Sequence, residues 1–154
     1  MSEGTNKVKV LFLCTGNSCR SQLAEGWARH LKGDVIDAYS AGVLPVGVHP
    51  RAIAVMKETG VDISQQTSKH VNLFLDDDFD YVVTLCDNAR EQCPVFPGRV
   101  KFVHRSFEDP SFVFGSDAEI MDAFRKTRDM IRTFIETLPE SLEGCGKAGT
   151  ARET

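Results

Sequence analysis

The chain has 154 residues, enough for one domain of ordinary size built around a single hydrophobic core. It is 42% hydrophobic and 26% charged, and its net charge of −4 excludes a global basic field that would attract nucleic acid or an anionic membrane. No apolar run approaches the length of a membrane span, and the first residues lack the apolar core of a signal peptide. We therefore expect a cytoplasmic monomer that binds neither nucleic acid nor membrane and holds any anionic substrate in a local site.

Strand and helix patterns alternate along the chain. Short β-branched runs predict strands at residues 8–13, 34–40, 80–85 and 100–104, and apolar stripes predict helices at 21–31, from Pro50 onward, at 68–75 and at 117–138. This alternation is typical of a parallel sheet that is covered on both faces. We predict an α/β, single-domain, three-layer fold over residues 7–139, with a four-stranded parallel sheet, helices on both faces and an anion loop after the first strand. Residues 1–6 and 140–154 are predicted to be disordered tails.

Ligands of such folds sit beyond the carboxyl ends of the strands. Three predicted loops leave those ends, at residues 14–20, 86–97 and 104–110. We expect the functional side chains to come from these loops.

The first of these loops has the features of an oxyanion cradle. Cys14 is followed six residues later by Arg20, between a predicted strand and a predicted helix. Backbone N–H groups in such a loop can surround an anion, Gly16 permits unusual backbone angles, and Arg20 can grip an oxyanion through two parallel hydrogen bonds. The positive surroundings favour a nucleophilic Cys14 thiolate, to which Ser21 can donate its hydroxyl. The alternative interpretation is that the pattern has no function and consists of a buried cysteine and a surface arginine.

The predicted substrate-binding residues are those of the whole loop after the nucleophile: Thr15, Gly16, Asn17, Ser18, Cys19, Arg20 and Ser21.

A candidate general acid follows the fourth predicted strand. Asp109 precedes Pro110, which restricts its backbone, and a carboxyl group held near the anion loop can protonate a leaving oxygen. An aspartate before a proline is also common in turns, and physical arguments favour neither the general acid nor the turn residue. Glu108 is the less favoured substitute for the acid.

The remaining cysteines divide into a pair and two bystanders. Cys93 follows Cys86 by seven residues, and the segment between them suits a short helix that must unwind before the two sulfurs can join. Two core cysteines are the alternative, whereas the spacing is too wide for a zinc knuckle. Cys19 inside the loop and Cys145 in the polar tail are interpreted as bystanders.

The segment VLFLCTGNSCRSQLAEGWARHL resembles the opening of the low-molecular-weight protein tyrosine phosphatase superfamily, and it is closer still to the arsenate reductases that share that fold. The resemblance runs from about Val8 to Leu138. It implies that Cys14 attacks the central atom of the oxyanion, with Arg20 binding it, and it favours Asp109 as the acid because the family carries an Asp-Pro there. The phosphatases usually follow this pair with two aromatic residues, and here Ser111 and Phe112 follow.

The segment LCDNAREQCP resembles the redox segment of thioredoxin-coupled arsenate reductases. The resemblance implies a relay in which Cys86 attacks Cys14 and Cys93 then attacks Cys86, with arsenate as substrate and thioredoxin as electron donor. The stoichiometry needs no cofactor. Some relatives bind an alkali cation, but Lys69 stands where an acidic ligand is expected, so no metal site is predicted.

Two other functions remain open from the sequence. A phosphomonoesterase would use Cys14, Arg20 and Asp109 without the other cysteines. A non-enzymatic redox or oxyanion sensor would use Cys86 and Cys93 as a switch, although neither an extra domain nor a basic DNA-reading patch supports it.

Overall fold

A four-stranded parallel sheet forms the centre of the protein in a computed structural model that describes residues 7–96 and 98–143. The strands are β1 (Val8–Cys14), β2 (Ile36–Gly42), β3 (Tyr81–Thr84) and β4 (Lys101–His104), and their order across the sheet is β2-β1-β3-β4. The predicted α/β fold with four parallel strands is confirmed. Because all strands run the same way, their carboxyl ends lie along one edge.

The central strand β1 owes its position to its continuous apolar run. Val10, Leu11, Phe12 and Leu13 are all fully buried, although consecutive residues of a strand point to opposite faces. Both faces of β1 are therefore covered, as the parallel arrangement requires.

The α-helices that accompany the sheet are α1 (Arg20–Lys32), α2 (Pro50–Lys57), α3 (Asp87–Gln92) and α4 (Asp117–Glu136). Trp27 of α1 is buried, and its indole N–H donates to the Arg128 carbonyl of α4, so the two helices are joined as well as packed. Helix α4 begins with a capping box between Ser116 and Glu119, which satisfies backbone N–H groups at its start. No helix among residues 7–96 and 98–143 is long and apolar enough to cross a membrane.

Two predicted elements are shifted by tertiary pairing. Strand β2 lies two residues later than predicted, because its register with β1 pairs Ile36 with Val8 and Gly42 with Cys14. The predicted helix at 68–75 is wrong over its first part: only Val71–Phe74 forms a 3₁₀ turn. The preceding residues are extended, since Gly42 N–H donates to the Lys69 carbonyl and His70 bridges to Gly42.

The predicted carboxyl-terminal boundary at residue 139 is too early. Helix α4 ends at Glu136, and after a turn through Pro139 the chain forms a further helical turn at residues 140–143. Leu142 in that turn is fully buried in the hydrophobic core. Burial of this apolar side chain offsets the entropic cost of ordering residues that look polar in sequence. The rest of the predicted tails, residues 1–6 and 144–154, lies outside the described residues.

Replacing Leu142 with alanine is expected to destabilise the protein by about 2–3 kcal/mol, because the change leaves a cavity in the core. Urea unfolding measures the change. Leu73→Ala is the matched control, since Leu73 is 70% exposed and its loss should cost less than about 0.5 kcal/mol. Equal stability of the two variants would show that the turn at 140–143 does not belong to the core.

Candidate functional site

A cavity of about 730 Å³ opens at the carboxyl edge of the sheet. All three loops that were predicted to carry function contribute to its wall, together with a fourth segment between β2 and α2. The residues that line it include Cys14, Thr15, Gly16, Ser18, Cys19, Arg20, Leu44, Val46, His49, Cys86, Glu108, Asp109, Ser111 and Phe112.

Cys14 lies at the end of β1 with its sulfur against a hydroxyl group. Its Sγ is 2.9 Å from Ser21 Oγ, and that oxygen accepts a hydrogen bond of 2.7 Å from the Asn17 side-chain amide. Ser21 Oγ accepts from Asn17 and still has its own hydrogen, which it can donate to Cys14. A hydroxyl donor stabilises a thiolate more than a thiol, so this contact favours the nucleophilic form.

The backbone strain of the loop lies at Asn17, not at Gly16. Asn17 has a φ of 47°, in the left-handed region that asparagine tolerates better than most side chains. Its amide Nδ2 also donates to Ser40, and its Oδ1 accepts from the Lys69 backbone. At Gly16 the constraint is one of space, since a Cβ there would lie 3.0 Å from Val46 Cγ2, a tight contact that the Val46 side chain would have to relieve. The sequence-based role given to Gly16 is therefore corrected.

Asn17 and Ser21 are fully buried behind the loop and do not line the cavity. Their side chains hold the loop and Cys14 from behind, and substrate binding by these two residues stays a prediction.

The carbonyl groups of the loop point outward, toward the segment between β2 and α2. The carbonyls of Thr15, Gly16 and Ser18 accept backbone hydrogen bonds of 2.8–3.0 Å from residues 44, 46 and 49 respectively. Because the N–H and C=O groups of a peptide point in opposite directions, this arrangement turns N–H groups toward the cavity. The segment at residues 44–49 thus shapes the anion cradle, a role that its sequence did not reveal.

Gly42 allows the loop to approach β2. A Cβ at this position would lie 2.7 Å from both the Asn17 nitrogen and the Thr15 carbonyl oxygen, which are backbone atoms that cannot give way easily. The residue therefore has to be glycine for a reason of tertiary packing, and no local pattern in the sequence indicates it.

Arg20 is fixed beside the cavity by two of its nitrogens. One terminal nitrogen donates to the Phe107 carbonyl at 3.0 Å, and the other pairs with Asp109 Oδ2 at 3.3 Å. Its Nε is buried and has no hydrogen-bond partner among the described residues. Buried donors usually have a partner, so a bound oxyanion is the natural acceptor for this group.

Asp109 is positioned by more than the proline that follows it. Its Oδ1 accepts from the Ser111 backbone at 2.9 Å and from the Ser111 hydroxyl at 2.6 Å, which leaves Oδ2 for Arg20. Glu108 also reaches the cavity wall, but it is exposed. Of the two carboxylates, Asp109 is the one that pairs with Arg20.

An aromatic and an imidazole side chain stand at the rim. Phe112 is 76% exposed at the cavity mouth. Burial, and then the charge of Arg51, hold the pKa of His49 below its ordinary value, so this histidine is neutral at pH 7. Its Nδ1 accepts from the Arg51 backbone and caps α2, which gives it a structural task.

Cys86 reaches the anion loop from the neighbouring strand β3. Its Sγ lies 3.3 Å from Thr15 Oγ1, and Thr15 directly follows Cys14. The same sulfur accepts from the Ala89 N–H at 3.4 Å and so caps the first turn of α3. The structure thus brings the first and second predicted redox cysteines to one cavity.

Cys93 and Cys19 occupy contrasting surroundings. Cys93 is partly exposed at the end of α3. Cys19 is buried, and burial, followed by the negative charge of Asp109, raises the pKa of its thiol to about 12. At neutral pH it is therefore a protonated thiol, which fits the predicted bystander.

Behind the loop, the side-chain oxygens of Ser40 and Glu25 already have protein partners. Ser40 Oγ donates to Glu25 Oε1, and Arg29 pairs with Glu25 Oε2 at 2.7 Å. Burial lowers the pKa of Lys69, whereas the charge of Glu25 acts in the opposite direction, so this lysine faces the same carboxylate. Two positive side chains near Glu25 disfavour a cation there.

The low molecular weight phosphotyrosine protein phosphatase family matches residues 9–147 of the chain. An arsenate reductase of Halalkalibacterium halodurans is 48% identical over 136 residues, which cover 88% of this chain and 98% of that protein. A solved structure described as an arsenate reductase in reduced state superposes with a TM-score of 0.69 at 36% identity, covering 88% of this chain and 98% of the other. A thioredoxin-dependent arsenate reductase of Corynebacterium glutamicum matches with a TM-score of 0.61 at 29% identity, covering 86% of this chain and 62% of that one.

Phosphate and sulfate are expected to bind the reduced protein and raise its thermal midpoint, because Arg20 Nε and the loop N–H groups can donate to a tetrahedral anion. At about 100 times its dissociation constant, a ligand adds roughly 2.7 kcal/mol to stability. Arg20→Lys should weaken phosphate binding at least tenfold, by about 1.4 kcal/mol or more, since lysine cannot provide the planar fork.

Arg132→Lys is the control, because Arg132 pairs with Glu136 on the surface of α4, away from the cavity. Thermal shift and calorimetric titration measure the effect. An unchanged phosphate affinity in the Arg20 variant would remove the anion-site assignment.

Proposed function

This chain belongs to the low molecular weight phosphotyrosine protein phosphatase family, and we propose that it is an arsenate reductase that works through a relay of Cys14, Cys86 and Cys93. The similar proteins that are named arsenate reductases support arsenate as the substrate, and their similar fold supports the cavity as the place where it binds. The observation that carries the relay is the 3.3 Å contact between Cys86 Sγ and the hydroxyl of Thr15, the residue next to Cys14.

In the first step, the Cys14 thiolate attacks the arsenic atom of bound arsenate. A sulfur–arsenic bond forms, and one oxygen leaves as water after Asp109 supplies a proton. Arg20 and the inward N–H groups of the loop hold the remaining oxygens and their negative charge. Ser21, by its 2.9 Å contact, keeps Cys14 in the attacking position.

In the second step, the Cys86 thiolate attacks the sulfur of Cys14. A disulfide forms between them, the sulfur–arsenic bond breaks, and its electron pair stays on arsenic, which leaves as arsenite. Two electrons have then passed from two thiols to one arsenic atom, so the reaction balances without a cofactor.

In the third step, the Cys93 thiolate attacks Cys86 and releases Cys14 as a thiolate. Across helix α3, Cys93 lies seven positions after Cys86, a rise of about 10 Å at 1.5 Å per residue. A disulfide needs its Cα atoms within roughly 7 Å. Helix α3 therefore has to unwind for this step, and the resulting Cys86–Cys93 disulfide then becomes accessible to an external dithiol.

The electron donor in this proposal is thioredoxin. An intramolecular disulfide is opened by one thiol of a dithiol protein and completed by its second, and the likeness to a thioredoxin-dependent arsenate reductase supports the same donor here. In this proposal the protein acts as a monomer in the cytoplasm and uses neither a metal nor another cofactor.

A phosphomonoesterase is the rival function, since Cys14, Arg20 and Asp109 suffice for a phosphoenzyme cycle that ends in hydrolysis. A phosphomonoesterase would not need Cys93, so the effect of replacing Cys93 distinguishes the two functions. A redox sensor without catalysis would form no arsenite at all.

Cys14→Ser should abolish arsenite formation while it leaves the fold intact, because serine is a far weaker nucleophile.

Cys93→Ser should complete about one turnover and stop, with peptides of Cys14 and Cys86 joined by a disulfide in mass spectrometry. Cys19→Ser is the matched control and should turn over almost normally, since that thiol is protonated and buried. Sustained turnover of the Cys93 variant with thioredoxin would exclude the third cysteine from the relay.

Thioredoxin with its reductase and NADPH should support faster turnover than glutathione with glutaredoxin. Thioredoxin lies near −270 mV and glutaredoxins at about −200 to −230 mV, and each 30 mV is about 1.4 kcal/mol for two electrons. NADPH consumption in the presence of arsenate measures both systems. Equal or faster turnover with the glutathione system would refute this donor and leave the role of Cys14 untouched.

A further inference from the structure

His104 links three elements at the carboxyl edge of the sheet. It is the last residue of β4, and its Nδ1 lies 2.7 Å from the Thr84 hydroxyl at the end of β3. Its Nε2 lies 2.8 Å from Asp87 Oδ1. Asp87 is the first residue of α3 and directly follows Cys86. The imidazole thus bridges the rigid sheet and the helix that separates the redox cysteines.

The bridge is chemically consistent with a neutral imidazole. The Asp87 carboxylate can only accept, so Nε2 carries a hydrogen and donates to it, whereas Nδ1 and the Thr84 hydroxyl form a hydrogen bond in which either atom can be the donor. A protonated imidazole also keeps its hydrogen on Nε2, so the contact with Asp87 persists in both forms. The side chain of His104 is only 19% exposed, whereas that of Asp87 is 69% exposed.

Helix α3 needs such external support. It has six residues, and isolated helices of that length are unstable in water. Ala89 is its buried residue, so α3 gains little stability from apolar packing. Contacts to its first turn therefore weigh heavily in the balance between the helical and the unwound states.

We propose that His104 is a positioning residue of the relay: through Asp87 it holds α3 in its helical form and thereby raises the reduction potential of the Cys86–Cys93 disulfide. This inference rests on the proposed relay. The His104–Asp87 contact exists in the reduced protein and is lost when α3 unwinds to let the two sulfurs join. An interaction present only in the dithiol form stabilises that form and makes the disulfide easier to reduce.

The reaction concerned is the exchange with thioredoxin. The thioredoxin dithiol gives two electrons and two protons to the Cys86–Cys93 disulfide, which becomes two thiols, and thioredoxin becomes the disulfide. The bridge shifts this equilibrium toward the reduced enzyme. It also slows the preceding attack of Cys93 on Cys86, because the bridge breaks as α3 unwinds.

The test is a double-mutant cycle in the full chain, with Asp87→Ala, His104→Leu and the double variant equilibrated against thioredoxin. The fraction of Cys86–Cys93 disulfide is measured by peptide mass spectrometry. Each single variant should shift the equilibrium about fivefold toward the disulfide, or about 20 mV, since a tenfold change is about 30 mV. The double variant should shift little further, because both changes remove the same contact. Asp87→Asn keeps an acceptor oxygen and should restore most of the wild-type value.

Glu91→Gln is the matched control, because it removes another exposed carboxylate from α3 and should change the equilibrium less than twofold. Hydrogen exchange of the α3 amides should quicken in Asp87→Ala and not in Asp87→Asn. Additive shifts in the cycle, or an unchanged potential in Asp87→Ala, would overturn the bridge. If His104→Leu does not fold, the comparison of Asp87→Ala with Asp87→Asn decides alone. Absence of a Cys86–Cys93 disulfide in the wild-type protein after arsenate would instead refute the relay, so the two failures are distinguishable.

Discussion

The parallel pairing of β1 with its two neighbours is the constraint on which the rest of the site depends. The register pairs Leu13 with Thr84 on one side and Cys14 with Gly42 on the other. These pairings end the strands at one level, so that the loops after β1 and β3 meet and Cys86 touches Thr15. The nucleophile and the second cysteine are more than 70 positions apart in sequence, and only the sheet brings them together. A shift of one residue in either pairing would turn the reactive side chains to the wrong face.

Two kinds of support meet at this edge, one rigid and one weak. The anion loop is held by a left-handed Asn17, whose side chain contacts three partners and so offsets its backbone strain. Helix α3 is short and weakly buried. This contrast fits the chemistry, since oxyanion binding needs fixed donors whereas disulfide exchange needs a segment that can unwind.

The sequence alone was sufficient for the sheet, the main helices and the cavity, because the apolar runs and the Cys14–Arg20 loop are local patterns. Prediction from the sequence failed where contacts between distant parts of the chain determine the structure. Gly42 and the segment at 44–49 shape the cradle from a part of the chain that looked like plain connection, and Leu142 lies in a stretch whose composition looked disordered. Asn17 rather than Gly16 has the positive φ, because its side chain is stabilised by residues far from it in sequence, such as Ser40. The roles of Asp109, Cys86 and Cys93 stay predictions: Asp109 and Cys86 line the cavity, whereas Cys93 lies at the far end of α3.

The central claim is that three cysteines of one chain supply both electrons and recover the nucleophile. Its most direct test mixes fully reduced wild-type protein with excess arsenate in the absence of any reductant, then counts arsenite and maps the thiols. The account predicts one arsenite per chain, a disulfide between Cys86 and Cys93, and a free thiol at Cys14. A final disulfide that contains Cys14, or no arsenite without an external thiol, would contradict it.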